Sequence, residues 1–447
     1  MRNKGQDGAA PMRILLVAEN ISLRLSGETV VPYHYFRQFL DAGHDVRVLC
    51  HARVRDDLRR DLPAGMFARV RFVEDSGLQR LLFRLGQHLP YRVQDLAINQ
   101  LITFVTQWRM RGLARTMIAE HGIDVVFQPA PIAAKAVSFM TGLGRPVVIG
   151  PMNGGMELPP AFRHMDRPVA RWLVSAARQG SRLLHRLAPG KLRATALIVS
   201  NERTRAALPP GIRGRIVQEA ESGVDFTHLP WRPEHPKSRS DLVSFVFCSR
   251  FVDWKGITYL VRAFAPLARE GIARLDLIGD GELFEDIREQ IQREGLERQI
   301  ILHGRVSVEG YAALLDRSDV FVTPSLRECG GLAMMEAMAV GLPIIGVDWG
   351  GAAQYTSRTC AMLVDPASEE ALVEGLTDAM RTLAHSAELR ARMGLAARRH
   401  LEQNGMGWDA KAARILAILR DAIEAPRAGK APSRAASPKL QPRPASF

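Results

Sequence analysis

Short, almost unbroken apolar runs recur along the chain and alternate with stretches of helical period. Met12 to Ala18, Asp45 to Cys50, Ile123 to Phe127, Pro146 to Ile149 and Thr195 to Ser200 read as strands. Their continuity predicts parallel strands covered on both faces. Between the first two lies a helical stretch carrying Val30, Tyr33, His34, Phe36, Phe39 and Leu40 and closed by Ala42-Gly43-His44. Strand, glycine-containing turn, helix and strand make a βαβ unit within about 40 residues. Only Gly27 stands in that turn, so the three-glycine dinucleotide fingerprint is absent and an oxidoreductase is disfavoured.

The pattern restarts after Ser222-Gly223-Val224-Asp225 and a polar segment with three prolines, Leu229 to Ser240, which reads as a linker. Strands are expected at Leu242 to Cys248, Leu275 to Ile278, Ile300 to Arg305, Phe321 to Thr323 and Pro343 to Val347. Helices are expected at Tyr259 to Glu270, Phe284 to Glu294, Leu332 to Val340, Glu369 to Leu383, Ala387 to Asn404 and Trp408 to Ile423. The class is α/β, with 12–225 and 241–404 as two Rossmann-like domains, 226–240 as linker and 405–424 as a terminal helix. Residues 1–11 and 425–447 are polar or Pro/Ser/Ala-rich and are expected to be disordered; Met12 is an alternative start.

Candidate chemistry concentrates between Phe321 and Val347. A strand stops at Pro324, Glu328 precedes Cys329-Gly330-Gly331, and a helix starts at Leu332 with Glu336 in its second turn. Unpaired N–H groups and the dipole at a helix start favour phosphate, and the glycines allow close approach. Carboxylates accept hydrogen bonds from hydroxyls, so Glu328 and Glu336 suit sugar and ribose. Arg250 and Lys255 follow another strand end, where guanidinium and ammonium groups can neutralise a diphosphate.

The stretch ECGGLAMMEAMAVGLPII, with its glutamates eight apart, resembles the signature of retaining family-4 glycosyltransferases. The resemblance implies a GT-B architecture, two Rossmann-like domains facing across a cleft, with the terminal helix crossing back to the first. It implies transfer of a hexose from a nucleotide sugar, itself a substrate, with no cofactor and no metal. Glu328 would face the donor sugar, Glu336 the ribose, and Arg250, Lys255 and the backbone at Gly330, Gly331 and Leu332 the diphosphate. Gly27 would lie at the cleft near the donor. Gly150 to Glu157 is similar to a loop of bacterial polysaccharide-type members, making Asn153 and Glu157 acceptor-contact candidates. Where relatives often carry a histidine, this chain has Phe127 and Gln128, so no catalytic histidine is carried over. Gln354 stands where an acidic residue is common, and Ser357-Arg358-Thr359-Cys360 replaces a glycine pair. Two alternatives stay open: another GT-B enzyme, an epimerase or a phosphorylase, and a non-catalytic nucleotide-sugar-binding protein.

Composition narrows the partners. The formal charge is +13 over 447 residues, yet no nucleic-acid motif is present and few aromatics interleave with the basic residues. The excess is local: Ala161 to Arg193 holds eight Lys or Arg against Asp166 alone, with Trp172, Leu173, Leu183 and Leu184 among them. Leu78, Leu81, Leu82, Leu85 and Leu89 form a second apolar face. Such stretches fit either a core-packed helix with a solvated basic face or an anionic membrane surface, and in the second case a saccharide or lipid-linked acceptor would lie close by. No run approaches the ~20 apolar residues that span a bilayer, and the four cysteines have no metal-ligand spacing. A cytoplasmic protein is expected, peripheral on the inner face of the membrane if those stretches dock on lipid.

Overall fold

Two parallel sheets organise the computed structural model, which describes residues 10–24, 27–86, 98–129, 133–165, 185–227, 229 and 242–425. The first holds β1 (Arg13–Val17), β2 (Asp45–His51), β3 (Val70–Val73), β4 (Val125–Gln128), β5 (Val147–Met152), β6 (Ala196–Val199) and β7 (Arg215–Gln218). Their order is β3-β2-β1-β4-β5-β6-β7. The second holds β8 (Val243–Cys248), β9 (Ala273–Ile278), β10 (Ile300–Gly304), β11 (Val320–Thr323), β12 (Ile344–Val347) and β13 (Ala361–Val364), in the order β10-β9-β8-β11-β12-β13. Every strand pairing is parallel. The chain order reverses between β1 and β4, and again between β8 and β11. Doubly wound sheets place ligands outside the carboxyl ends of the strands at such points.

The apolar runs become central strands because both faces are covered. Ile14, Leu15 and Leu16 of β1 are all fully buried. The Gly27–Asp41 helix lays Val31, Tyr35, Phe36 and Phe39 on one side of the first sheet. Leu260, Phe264 and Leu267 of the Ile257–Glu270 helix do the same for β8 and β9. The strand patterns at β1, β2, β4, β5, β6, β8, β9, β10, β11 and β12 are as the sequence predicts. The structure adds β3, β7 and β13. It also turns the Gly350–Gly351 segment into a short helix, Gly350–Tyr355.

The two halves are joined by more than the linker. The Trp408–Glu424 helix belongs to the first core: Trp408, Ala412, Ile415 and Leu419 are buried with Tyr35, Phe39 and Phe127, and Trp408 stacks on His34 at 4.6 Å. In the opposite direction, Leu158 and Phe162 enter the second core, Phe162 edge-on to Tyr259 at 5.6 Å. A further helix, Asn99–His121, packs against the first sheet. Residues 1–9, most of the linker, the tail from 426 and the stretch 166–184 lie outside the described residues, and with them most of the basic segment.

Candidate active site

Adjacent strand ends at the second switch point bring Lys255 and Glu328 together. After β8, exposed Arg250 precedes the 3-10 turn Asp253–Lys255. That turn ends at Gly256, which has φ +70° and would place a Cβ 2.3 Å from the Pro324 carbonyl. A larger residue cannot fit there, so the glycine lets the β8 loop close against the β11 loop. Lys255 Nζ forms an ion pair with Glu328 of that second loop. Glu328 Oε1 also accepts from the backbone N–H of Cys329 at 3.1 Å and of Gly331 at 3.3 Å. Gly331, at φ +58°, caps the Leu332–Ala339 helix.

The first domain closes over this point. A Cβ on Gly27 would lie 3.6 Å from Leu332 Cδ2, and one on Gly330 would meet Ser222 Oγ at 2.8 Å and Glu221 Oε2 at 3.4 Å. Gly27, Gly330, Gly331 and Leu332 therefore converge from both sides of the cleft. Glu336, one turn into the helix, accepts from the Tyr311 hydroxyl at 2.9 Å. Burial raises its carboxyl to about 7, with the Tyr311 hydrogen bond pulling the other way.

Asn153 and Glu157 are not equivalent. Asn153 is buried; its Oδ1 accepts from Gly154 N at 3.0 Å and its Nδ2 donates to Glu221 Oε2 at 2.7 Å. Glu157 carries an exposed carboxylate, and its backbone carbonyl accepts from Trp349 Nε1 at 2.8 Å. Glu221 did not emerge from the sequence. Burial pushes it up to about 7, against the Asn153 hydrogen bond, with Glu28 and Glu328 adding negative charge nearby. Tyr311 was likewise missed; no local pattern marks either residue. Gln128 is buried and accepts from Ser138 Oγ at 2.6 Å, while Phe127 is core.

The loop after β12 crosses the cleft. Gln354 Nε2 donates to the Ser200 carbonyl at 3.1 Å, and Gln354 Oε1 accepts from Asn201 Nδ2 at 3.1 Å. Among the described residues, no group of three or more His, Cys, Asp or Glu could hold a metal ion, and no helix is long and apolar enough to cross a membrane.

A family model described as "Glycosyl transferases group 1" matches residues 232–400. The chain is 26% identical over 433 residues to the MMP alpha-(1->4)-mannosyltransferase of Mycolicibacterium hassiacum, covering 92% of this chain and 98% of that protein. It is 28% identical over 348 residues to the putative colanic acid biosynthesis glycosyltransferase WcaL of Salmonella typhimurium, covering 72% of this chain and 79% of the relative. In three dimensions it resembles Anabaena HepE in complex with UDP, at a TM-score of 0.62 and 15% identity, covering 92% of this chain and 100% of the other. The fold expectation is met: the architecture is GT-B.

Proposed function

We infer that this GT-B glycosyltransferase moves a hexose from a nucleoside diphosphate sugar to an acceptor hydroxyl, with retention at the anomeric carbon and without a metal ion. The observation that carries the reading is the pairing of Lys255 with Glu328 at the β8/β11 switch point, beside the Leu332 helix start and opposite Gly27. A nucleoside diphosphate gathers negative charge as the glycosidic bond breaks. Fixed cations and N–H donors aimed at that charge lower the barrier, because they need no reorganisation during the reaction. Arg250, Lys255 and the backbone of Gly330, Gly331 and Leu332 take this role, supported by likeness to a protein solved with UDP. Glu336 accepts from ribose hydroxyls, and Glu328 from the donor sugar. Asn153 holds Glu221, while the exposed Glu157 carboxylate, 3.7 Å from Arg163, is the acceptor contact.

Similarity to a mannosyltransferase and to a colanic acid enzyme supports polysaccharide or glycolipid assembly, with a saccharide or lipid-linked acceptor. The test is the double variant Arg250→Ala/Lys255→Ala. It should fold, lose transfer and bind nucleoside diphosphates weakly; unchanged nucleotide affinity would overturn the assignment.

Docking on an anionic membrane belongs to the same proposal. In the Gly77–Gly86 helix, Leu78, Leu81 and Leu85 share one side and are each more than half exposed, an apolar face suited to lipid. Each Lys or Arg near anionic lipid contributes about 1 kcal/mol. Co-sedimentation should therefore favour anionic over neutral vesicles and weaken with salt; equal binding to both vesicle types rules the docking out.

A further inference from the structure

The contacts of Glu328 carry a consequence for which ligands the site prefers. Its carboxylate takes Lys255 Nζ from the β8 loop and the N–H groups of Cys329 and Gly331 from its own. Under the reading above, Lys255 and the Gly331 N–H are also donors to the diphosphate. The Gly331 N–H has one hydrogen to give. The Lys255 ammonium has three, but it divides its charge between a carboxylate and a phosphate it serves together, so a bound diphosphate weakens what Glu328 receives. We propose that Glu328 makes the site select a nucleoside diphosphate that still carries its sugar over the free nucleoside diphosphate.

The selection follows from what each ligand returns to Glu328. A diphosphate that takes the Gly331 N–H and draws on Lys255 leaves Glu328 with the Cys329 N–H and a shared ammonium. The Glu328 side chain is 21% exposed and that of Lys255 16%, so water only partly replaces what is lost, and a largely covered charge with weakened partners is costly. A hexose attached to the diphosphate brings hydroxyl donors to the carboxylate and offsets the loss. A free nucleoside diphosphate brings none. Once the sugar has passed to the acceptor, Glu328 competes again for Lys255 and the Gly331 N–H, and the product nucleotide loses its hold. Glu328 thus ties donor capture and product release to the presence of the sugar.

This inference rests on the assignment of Lys255 and the Gly331 N–H to the diphosphate, and the experiment separates the two. Calorimetric titrations would compare UDP with UDP-glucose, GDP with GDP-mannose and ADP with ADP-glucose, using the pair the wild-type protein binds. The wild type should prefer the sugar-bearing ligand by about tenfold. Glu328→Gln keeps the side-chain shape and removes the competing charge, so free nucleoside diphosphate should bind about tenfold more tightly and the preference should collapse. Glu328→Ala should lose the preference in the same way. Glu28→Gln removes a neighbouring negative charge that forms no ion pair with Lys255, and should keep the preference. The proposal is overturned if Glu328→Gln binds the free diphosphate no more tightly than wild type, if it keeps the preference, or if Glu28→Gln shows the same tightening. Unchanged diphosphate binding by Lys255→Ala would instead show that the underlying donor-site assignment is wrong.

Discussion

Replacing Glu219 by alanine should cost the protein more stability than replacing Glu219 and Lys411 together. Lys411 lies on the Trp408–Glu424 helix and is fully buried. Its Nζ donates to Glu219 Oε1 at 3.0 Å and to the Ala220 carbonyl. Arg414, one turn on, donates to the same carboxylate through Nε at 2.7 Å and Nη2 at 2.9 Å. Glu219→Ala leaves the Lys411 ammonium buried without its counter-charge, a situation that costs about 3–5 kcal/mol. Lys411→Met leaves Glu219 with both Arg414 hydrogen bonds and strands only the Ala220 carbonyl, for about 1–2 kcal/mol. The double variant removes the uncompensated ammonium and should recover about 2 kcal/mol of the Glu219→Ala loss. Midpoints of urea unfolding at unchanged slope give the three values. A double variant no more stable than Glu219→Ala would refute the reasoning. The pH dependence has a definite sign. Burial pushes Glu219 up, but the Arg414 hydrogen bonds and the Lys411 charge outweigh it and leave the carboxyl below its ordinary 4.5. The contribution of this group is therefore complete above pH 4.5 and is lost as pH falls through the lower folded value.

Gly256→Ala should destabilise by about 1–3 kcal/mol from backbone strain alone, because φ is +70° and the new methyl would lie 2.3 Å from the Pro324 carbonyl. Thermal unfolding at the wild-type midpoint would contradict this, and nucleotide affinity should fall with it since Lys255 immediately precedes the glycine. Glu336 and Glu221 have the opposite sign to Glu219. Burial holds both near 7 against an ordinary 4.5, so the folded state keeps protons that the unfolded chain sheds. Stability should decline as pH rises from about 4.5 to 7 and level off above. Glu336→Gln should make that decline shallower in urea titrations, and an unaltered slope would show that this carboxyl is not perturbed.

The strands that the sequence leaves unmarked have a physical feature in common. β3, β7 and β13 all sit at sheet edges, where one side of the strand lacks a neighbour and burial is incomplete. β3 reads VRFV and β7 reads RIVQ, so Arg71 interrupts one apolar run and Arg215 and Gln218 bound the other to two residues. Most of the strands read from the sequence lie inside their sheets, where a continuous apolar run is obligatory. The same division holds for the site. Arg250, Lys255, Glu328, Gly330, Gly331 and Glu336 belong to local strand–loop–helix patterns and could be picked out one domain at a time. Glu221 becomes a cleft residue only because Asn153, 68 positions away, hydrogen-bonds it and because Gly330 of the other domain comes to rest against it. Tyr311 meets Glu336 across 25 positions. Contacts of that kind are set by how elements dock, and no periodicity in either segment encodes them.

Gln354 shows how a departure from a motif can be matched to such docking. In the resembling family an acidic residue is common at this position, and the glutamine alone reads as a weakened site. In the folded chain its amide faces two groups of opposite kind on the first domain. The Ser200 carbonyl needs a donor and receives Gln354 Nε2; the Asn201 Nδ2 group needs an acceptor and finds Gln354 Oε1. A carboxylate has acceptors only, so at the same place it would set a negative oxygen against the Ser200 carbonyl. The neighbouring Trp349 donates across the same gap to the Glu157 carbonyl, and a Cβ on Gly350 would sit 2.8 Å from the Met156 methyl, so the two domains already touch along this loop. Glutamine is the residue of that size that can both give and accept a hydrogen bond here. Its presence therefore accords with a loop whose work in this protein is to hold the walls of the cleft together.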